Sequence, residues 1–201
     1  TATENILKRP HTQEETLLTL RDMLQTSRYI GQWMRTYLLF ESHHSLLIID
    51  QHAAQERIAF EILCTHVRAH TLQIQRLLSP IVLTLSPDEM HSWEEYKDQA
   101  TTLGFETTLF DRNSVALHAH PHLLKNPERA LRNILMQHEQ KNYDMESLAR
   151  AACRGSVMAG DIMSDEEARI LCERLIHTHN PSTCPHGRPT MVKLGKLDLE
   201  K

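Results

Sequence analysis

Residues 45–70 read SLLIIDQHAAQERIAFEILCTHVRAH, and the reading of this stretch decides the fold. Leu46-Leu47-Ile48-Ile49 is apolar without polar alternation, which predicts a β-strand that ends at Asp50 and is covered on both faces. From Gln51 to His70 the composition turns to Ala, Gln, Glu and Arg with no Gly or Pro, which predicts a helix of about five turns. A strand feeding a helix in this way can bring Asp50, His52 and Glu56 to one point, because His52 and Glu56 are four apart and share a helix face. Imidazole and carboxylate are ligands that a borderline cation such as Zn2+ or Mn2+ accepts. Glu61 lies two and a half turns beyond His52 and cannot reach that point; it is expected to orient a partner or to cap helix packing. The segment alone also admits a plainer reading, a surface His–Glu pair behind a capping Asp.

Working outward, YIGQWMRTYLLFE (29–41) and SLLIID (45–50) are apolar runs around SHHS, which predicts a β-hairpin. Before them, Leu17, Leu20 and Leu24 recur at helical spacing over 12–26. After the long helix, 72–85 hold extended pieces around Pro80, notably IVLTL. Ser86-Pro87-Asp88-Glu89 is a helix start, and that helix runs to Leu103 before Gly104. FETTLF and SVALHAH flank Asp111-Arg112-Asn113, a second hairpin. Helices are predicted over 127–139, 144–159 and 165–179, the last opened by Ser164 and an acidic first turn. Strands and helices mix without regular βαβ alternation, so the class is α+β.

The 201 residues carry 22 Lys+Arg against 26 Asp+Glu, a net charge of −4, so this is not a strongly basic nucleic-acid binder. Any action on DNA must draw phosphate affinity from a metal, a partner or another domain. Aromatics at 5% argue against a stacking platform for single strands, and no apolar run approaches the ~20 residues of a membrane helix. No signal peptide is seen, and four Cys in a chain this long do not form a disulfide scaffold; reduced thiols, some on metal, are expected. The start at Thr1 suggests a piece of a longer protein whose missing part is N-terminal.

Two further clusters carry chemistry. In C184-P-H-G-R-P189, two Pro and a Gly stiffen a turn that presents Cys184 and His186 together, half of a zinc site, while Arg188 can clamp a phosphate oxygen. The alternative is a Pro-rich turn around a buried Cys. In A152-C153-R154, Cys153 can supply another thiolate or simply be buried; Cys64 and Cys172 read as core.

Taken in this order, the three pieces resemble the C-terminal domain of the MutL family of DNA mismatch-repair proteins in its nuclease-bearing form. The family pattern D-Q-H-A-x-x-E-x-x-x-x-E matches residues 50–61 at every specified position, and its Ala-Cys-Arg/Lys and Cys-Pro-His-x-Arg-Pro pieces match 152–154 and 184–189. The resemblance implies a metal-dependent endonuclease that nicks one strand of duplex DNA, and a homodimer. It implies Asp50, His52 and Glu56 as catalytic and metal-site residues. It implies Cys153, Cys184 and His186 as further zinc ligands, with Mn2+ or Mg2+ as a second metal. Gln51, Glu61, Arg154 and Arg188 would support them. It implies two lobes: a dimerisation lobe from both chain ends (1–60 and 154–201) and an inserted external lobe (61–153). Gln75, Leu78 and Pro80 in QRLLSP resemble a short sliding-clamp-binding motif; the plainer reading is a strand entry with an edge Pro. Further implied partners are an N-terminal ATPase domain and a mismatch-recognition protein, with a cytoplasmic, nucleoid-associated location and no membrane. The chain departs from the family in ending LGKLDLEK without the aromatic-x-Arg piece of many nuclease members. The competing expectation is a non-catalytic adaptor whose zinc only stabilises a dimerisation module.

Overall fold

The computed structural model describes residues 22–42, 45–136, 144–155, 162–195 and 198. The elements in chain order are β1 (Arg28–Trp33), β2 (Tyr37–Ser42), β3 (Ser45–Asp50), α1 (Gln51–Arg68), β4 (Ile74–Thr84), α2 (Pro87–Thr102), β5 (Glu106–Asp111), β6 (Ser114–Pro121), α3 (Pro127–Leu135), α4 (Met145–Cys153), α5 (Asp165–Ile176) and β7 (Met191–Gly195). The class is α+β, with two antiparallel sheets ordered β1-β2-β3-β7 and β4-β6-β5. Of the helix expected over 12–26, residues 22–26 are helical and the rest lie outside the described residues.

The hairpin expected around SHHS is a three-strand meander, because the run 29–41 folds back on itself. Thr36 N–H donates to the Trp33 carbonyl at 3.1 Å, and Met34 and Arg35 sit at φ 52° and 54°. This left-handed turn matches the twist of paired strands but normally advertises itself with Asn-Gly or Asp-Gly, which this sequence lacks. On β3, Leu47 and Ile49 are buried while Leu46 and Ile48 are half-buried, so only one face is covered. Register places Leu39, Ile48 and Val192 in one cross-strand row on the open face. β7, unforeseen in the sequence, is what closes the sheet beside β3.

Two hydrophobic clusters result. One joins Leu38, Phe40, Leu47 and Ile49 of the first sheet to Ala168, Leu171, Cys172 and Leu175 of α5. The other joins Leu83, Val115 and Leu117 of the second sheet to Trp93, Tyr96, Leu131 and Leu148 on α2, α3 and α4. α1 belongs to both: Ala54 and Ile58 enter the first cluster, Ala59, Phe60 and Leu63 the second. Over its first ten residues α1 is buried nearly all round, including the polar Gln51, Glu56 and Arg57, so the polar groups there must find partners inside the fold.

The capping signals hold. Ser86 with Glu89, and Ser164 with Glu167, form reciprocal capping boxes. Three helices end sooner than expected, α3 at Leu135, α4 at Cys153 and α5 at Ile176. After α4 the chain turns through Gly155 at φ +60°, a left-handed stop. Cys172 is core as expected, but Cys64 is only partly buried. Among the described residues no helix is long and apolar enough to cross a membrane.

Candidate metal centre

Glu56, in the second turn of α1, is the hub. Its side chain is 1% exposed, yet both oxygens are occupied. Oε1 accepts the Gly155 N–H at 2.9 Å and lies 3.0 Å from His52 Nε2. Oε2 accepts from Arg188 Nη2 at 2.8 Å and lies 3.2 Å from His186 Nδ1. Burial alone would raise this carboxyl's pKa. The hydrogen bonds from His186 and Gly155, with the charges of His52 and His186, outweigh it and hold the pKa down at about 2. A buried carboxylate is therefore kept ionised.

The loop after α5 brings the other ligands. Arg188 carbonyl takes the Cys184 N–H at 2.7 Å, Cys184 carbonyl takes the Gly187 N–H at 3.0 Å, and Gly187 adopts φ +84°. The turn is pinned to α1 by two residues. Arg57 Nε donates to the Thr183 carbonyl at 2.7 Å. Glu61 accepts the His179 N–H at 2.8 Å and lies 2.9 Å from His179 Nδ1. Glu61 therefore stands away from His52 and is bonded to the loop backbone at His179. Arg57 was not anticipated; its only signal is a charged residue within a stretch that must be buried.

Among the described residues, Glu56, Cys184 and His186 form a group whose ligand atoms all lie within 4.8 Å of one another. The buried Nε2 of His186 has no hydrogen-bond partner, while its Nδ1 faces the Glu56 carboxylate. His186 thus offers Nδ1 beside Glu56 to a shared ion, while its Nε2 is a buried polar atom left without a protein partner among the described residues. Carboxylate, thiolate and imidazole together suit zinc. On this chemistry the residues fit a metal.

Three expected ligands stand outside that group. Asp50 caps α1, its Oδ1 accepting the Ala53 N–H at 2.9 Å, as the plainer reading of the segment required. His52 touches Glu56 from a partly open position, 26% exposed. Cys153 is fully buried at the end of α4, where burial, with Cys64 and Glu56 adding, drives its thiol pKa well above the ordinary value. Of the supporting residues, Gln51 is buried and its Oε1 accepts from Gln32 Nε2 at 2.5 Å. Arg154 terminates α4, its carbonyl held by Asn133 Nδ2 at 2.7 Å. The backbone donor Gly155 was missed, although a glycine just past a helix end is a readable signal.

Gln75, Leu78 and Pro80 lie on β4, where pairing with β6 slips between Arg76 and Ile81. All three are exposed, and Leu78 stands wholly in solvent at 108%.

The fold and this ligand-rich hub define an α+β domain built around a buried carboxylate, thiol and imidazole. The family model described as MutL C terminal dimerisation domain matches residues 30–163. Over 182 residues the chain is 37% identical to the DNA mismatch repair protein MutL of Clostridium botulinum strain Langeland, covering 87% of this chain and 27% of that protein. It is 34% identical over 208 residues to that of Clostridium tetani, covering 98% and 32%. To that of Anoxybacillus flavithermus it is 37% identical over 180 residues, covering 86% and 30%. The chain belongs to the MutL C-terminal dimerisation domain family of mismatch-repair proteins, and it spans about a third or less of the length of these relatives.

Proposed function

We propose that this domain is a metal-dependent endonuclease that nicks one strand of duplex DNA and forms a homodimer. The observation that carries the reading is the convergence of Glu56, Cys184 and His186, whose ligand atoms all lie within 4.8 Å of one another. These three would hold zinc, with Cys153 as a further thiolate, while Asp50 and His52 would border a second position for Mn2+ or Mg2+. A bound metal there supplies Lewis acidity to a phosphoryl oxygen and lowers the pKa of a bound water. The chain's own residues do the rest. Glu56 stays ionised at neutral pH. Arg188, 52% exposed beside it, offers guanidinium donors to a phosphate. His52, partly open to solvent, holds or releases a proton at Nε2.

The two hydrophobic clusters support a division into a dimerisation lobe (1–60 and 154–201) and an external lobe (61–153) hinged on α1. The half-covered row Leu39, Ile48 and Val192 offers the apolar surface for a second copy. The exposed Leu78 between Gln75 and Pro80 offers a plug for a sliding clamp. In the longer protein, an N-terminal ATPase domain, a mismatch-recognition protein and the clamp would deliver DNA to an acidic domain that binds it weakly alone. The setting would be the cytoplasm, at the nucleoid.

The test is nicking of supercoiled plasmid with manganese. Glu56→Lys and Asp50→Asn should abolish it while leaving the dimer intact, and full nicking by either variant ends the assignment. A purely structural zinc would be retained by a wild-type protein that never nicks, the outcome that favours the adaptor reading.

A further inference from the structure

The chain is acidic, yet arginines edge the mouth of the Glu56 centre. Arg129, in the first turn of α3, is one whose task is unassigned. Its main-chain N–H serves the helix cap, bonded to Asn126 Oδ1 at 3.0 Å. Its exposed guanidinium has no carboxylate or hydrogen-bond partner among the described residues. It lies across the backbone of Gly155: a Cβ there would come within 2.7 Å of Arg129 Cζ and Nη2. The Gly155 N–H is the one that holds Glu56 Oε1. Arg132, one turn along the same helix, behaves otherwise and meets both Glu89 and Glu128 at 3.3 Å. The helix thus satisfies one arginine within the fold and leaves the one beside the site bare. A bare guanidinium offers a planar fork of donors suited to phosphate oxygens.

The β1–β2 turn carries a second such cation. Arg35 is exposed and likewise without a partner among the described residues. It follows Met34 at positive φ, a conformation disfavoured for residues with side chains. On the same turn Trp33, stacked on Tyr37, is 57% exposed and Met34 71%. The turn is tethered to the first turn of α1, where Gln51 N–H donates to the Thr36 carbonyl at 2.9 Å. Arg129 is tethered through Gly155 to the second turn. Two arginines without partners among the described residues, and a half-exposed indole stacked on Tyr37, are thereby brought to the same end of the helix that carries Glu56. An exposed guanidinium and a half-exposed aromatic ring carried on one turn can both meet a phosphodiester backbone.

We infer that Arg129 and the Trp33–Arg35 turn grip the phosphodiester backbone of duplex DNA at the mouth of the Glu56 centre, outside the residues that would hold metal. The inference rests on the reading of this site as one that works on DNA. The test is binding of a fluorescent duplex to the zinc-loaded protein, without manganese, over a salt series of about 50 to 200 mM. Arg129→Gln should weaken binding about fivefold to tenfold at ~100 mM salt and lower the slope of log affinity against log salt by about 1. Arg129→Lys should recover most of the affinity. Arg35→Gln and Trp33→Ala should weaken binding as well, while Arg112→Gln, in the exposed β5–β6 turn, should not. Wild-type affinity and slope in Arg129→Gln overturn the inference, as does an equal loss in Arg112→Gln. A wild-type protein that never nicks plasmid sinks the endonuclease reading alone, because the salt slope still decides the arginines.

Discussion

At the scale of single residues, Glu56 and Gly155 set the site. Glu56 is ionised far below the ordinary carboxylate value of 4.5, so its contribution to stability is complete above pH 4.5 and is lost as pH falls toward about 2. Urea unfolding of the metal-free protein over that interval should show the loss. Glu56→Gln, with no charge to titrate, should flatten this part of the acid dependence. Gly155 does two things that no residue with a side chain can do together. It adopts φ +60°, and it leaves room for Arg129. Gly155→Ala should destabilise the domain by about 1–2 kcal/mol from backbone strain, measurable as a lower urea midpoint. Because the same substitution displaces the N–H that holds Glu56, it should also reduce plasmid nicking. The Asp50 side chain has one oxygen, Oδ1, engaged in capping the helix beside which it was expected to act.

At the scale of elements, the problem is how α1 and the loop 178–190 keep their spacing across more than a hundred residues of intervening chain. Arg57 and Glu61 lie on the same helix and hold that loop through its backbone, at Thr183 and at His179 and Asn180. Backbone contacts hold the loop whatever side chains it carries, so the brace positions Cys184 and His186 without touching them. Removing such outer support typically costs about 10- to 100-fold in metal affinity. Glu61→Ala is therefore expected to release zinc to a competing chelator faster than wild type, with the far-ultraviolet circular dichroism unchanged. Zinc retention equal to wild type would reduce Glu61 to a packing role.

At the scale of the whole molecule, one sheet has a finished face and an unfinished one. Leu38, Phe40, Leu47 and Ile49 pack against α5, while Leu39, Ile48 and Val192 form an open apolar row. The apolar run of β3 announced two covered faces, and the single chain covers one. A second copy of a dimerisation domain seated on this row would supply the cover that the first lacks. Ile48→Asp places a charge in the middle of the row and should convert the dimer to a folded monomer in sedimentation velocity. A dimer that survives the substitution moves the interface elsewhere.

The sequence by itself determined what is encoded locally. The helix caps at Ser86 and Ser164, the strand-to-helix passage at Asp50, the α+β class and the identity of the ligand-type side chains all follow from neighbours a few residues apart. Only the tertiary structure decided which of those side chains meet. It joined Glu56 to Cys184 and His186, left Cys153 and Asp50 outside that group, recruited Arg57 and the Gly155 N–H, and folded 29–41 into two strands through a turn with no glycine. The physical reason is that burial, backbone donors and long-range register belong to pairs of segments and not to any one of them. A carboxylate is held ionised in the interior by groups about 100 and 130 residues away, and nothing within a few positions of Glu56 along the chain records where those groups will be.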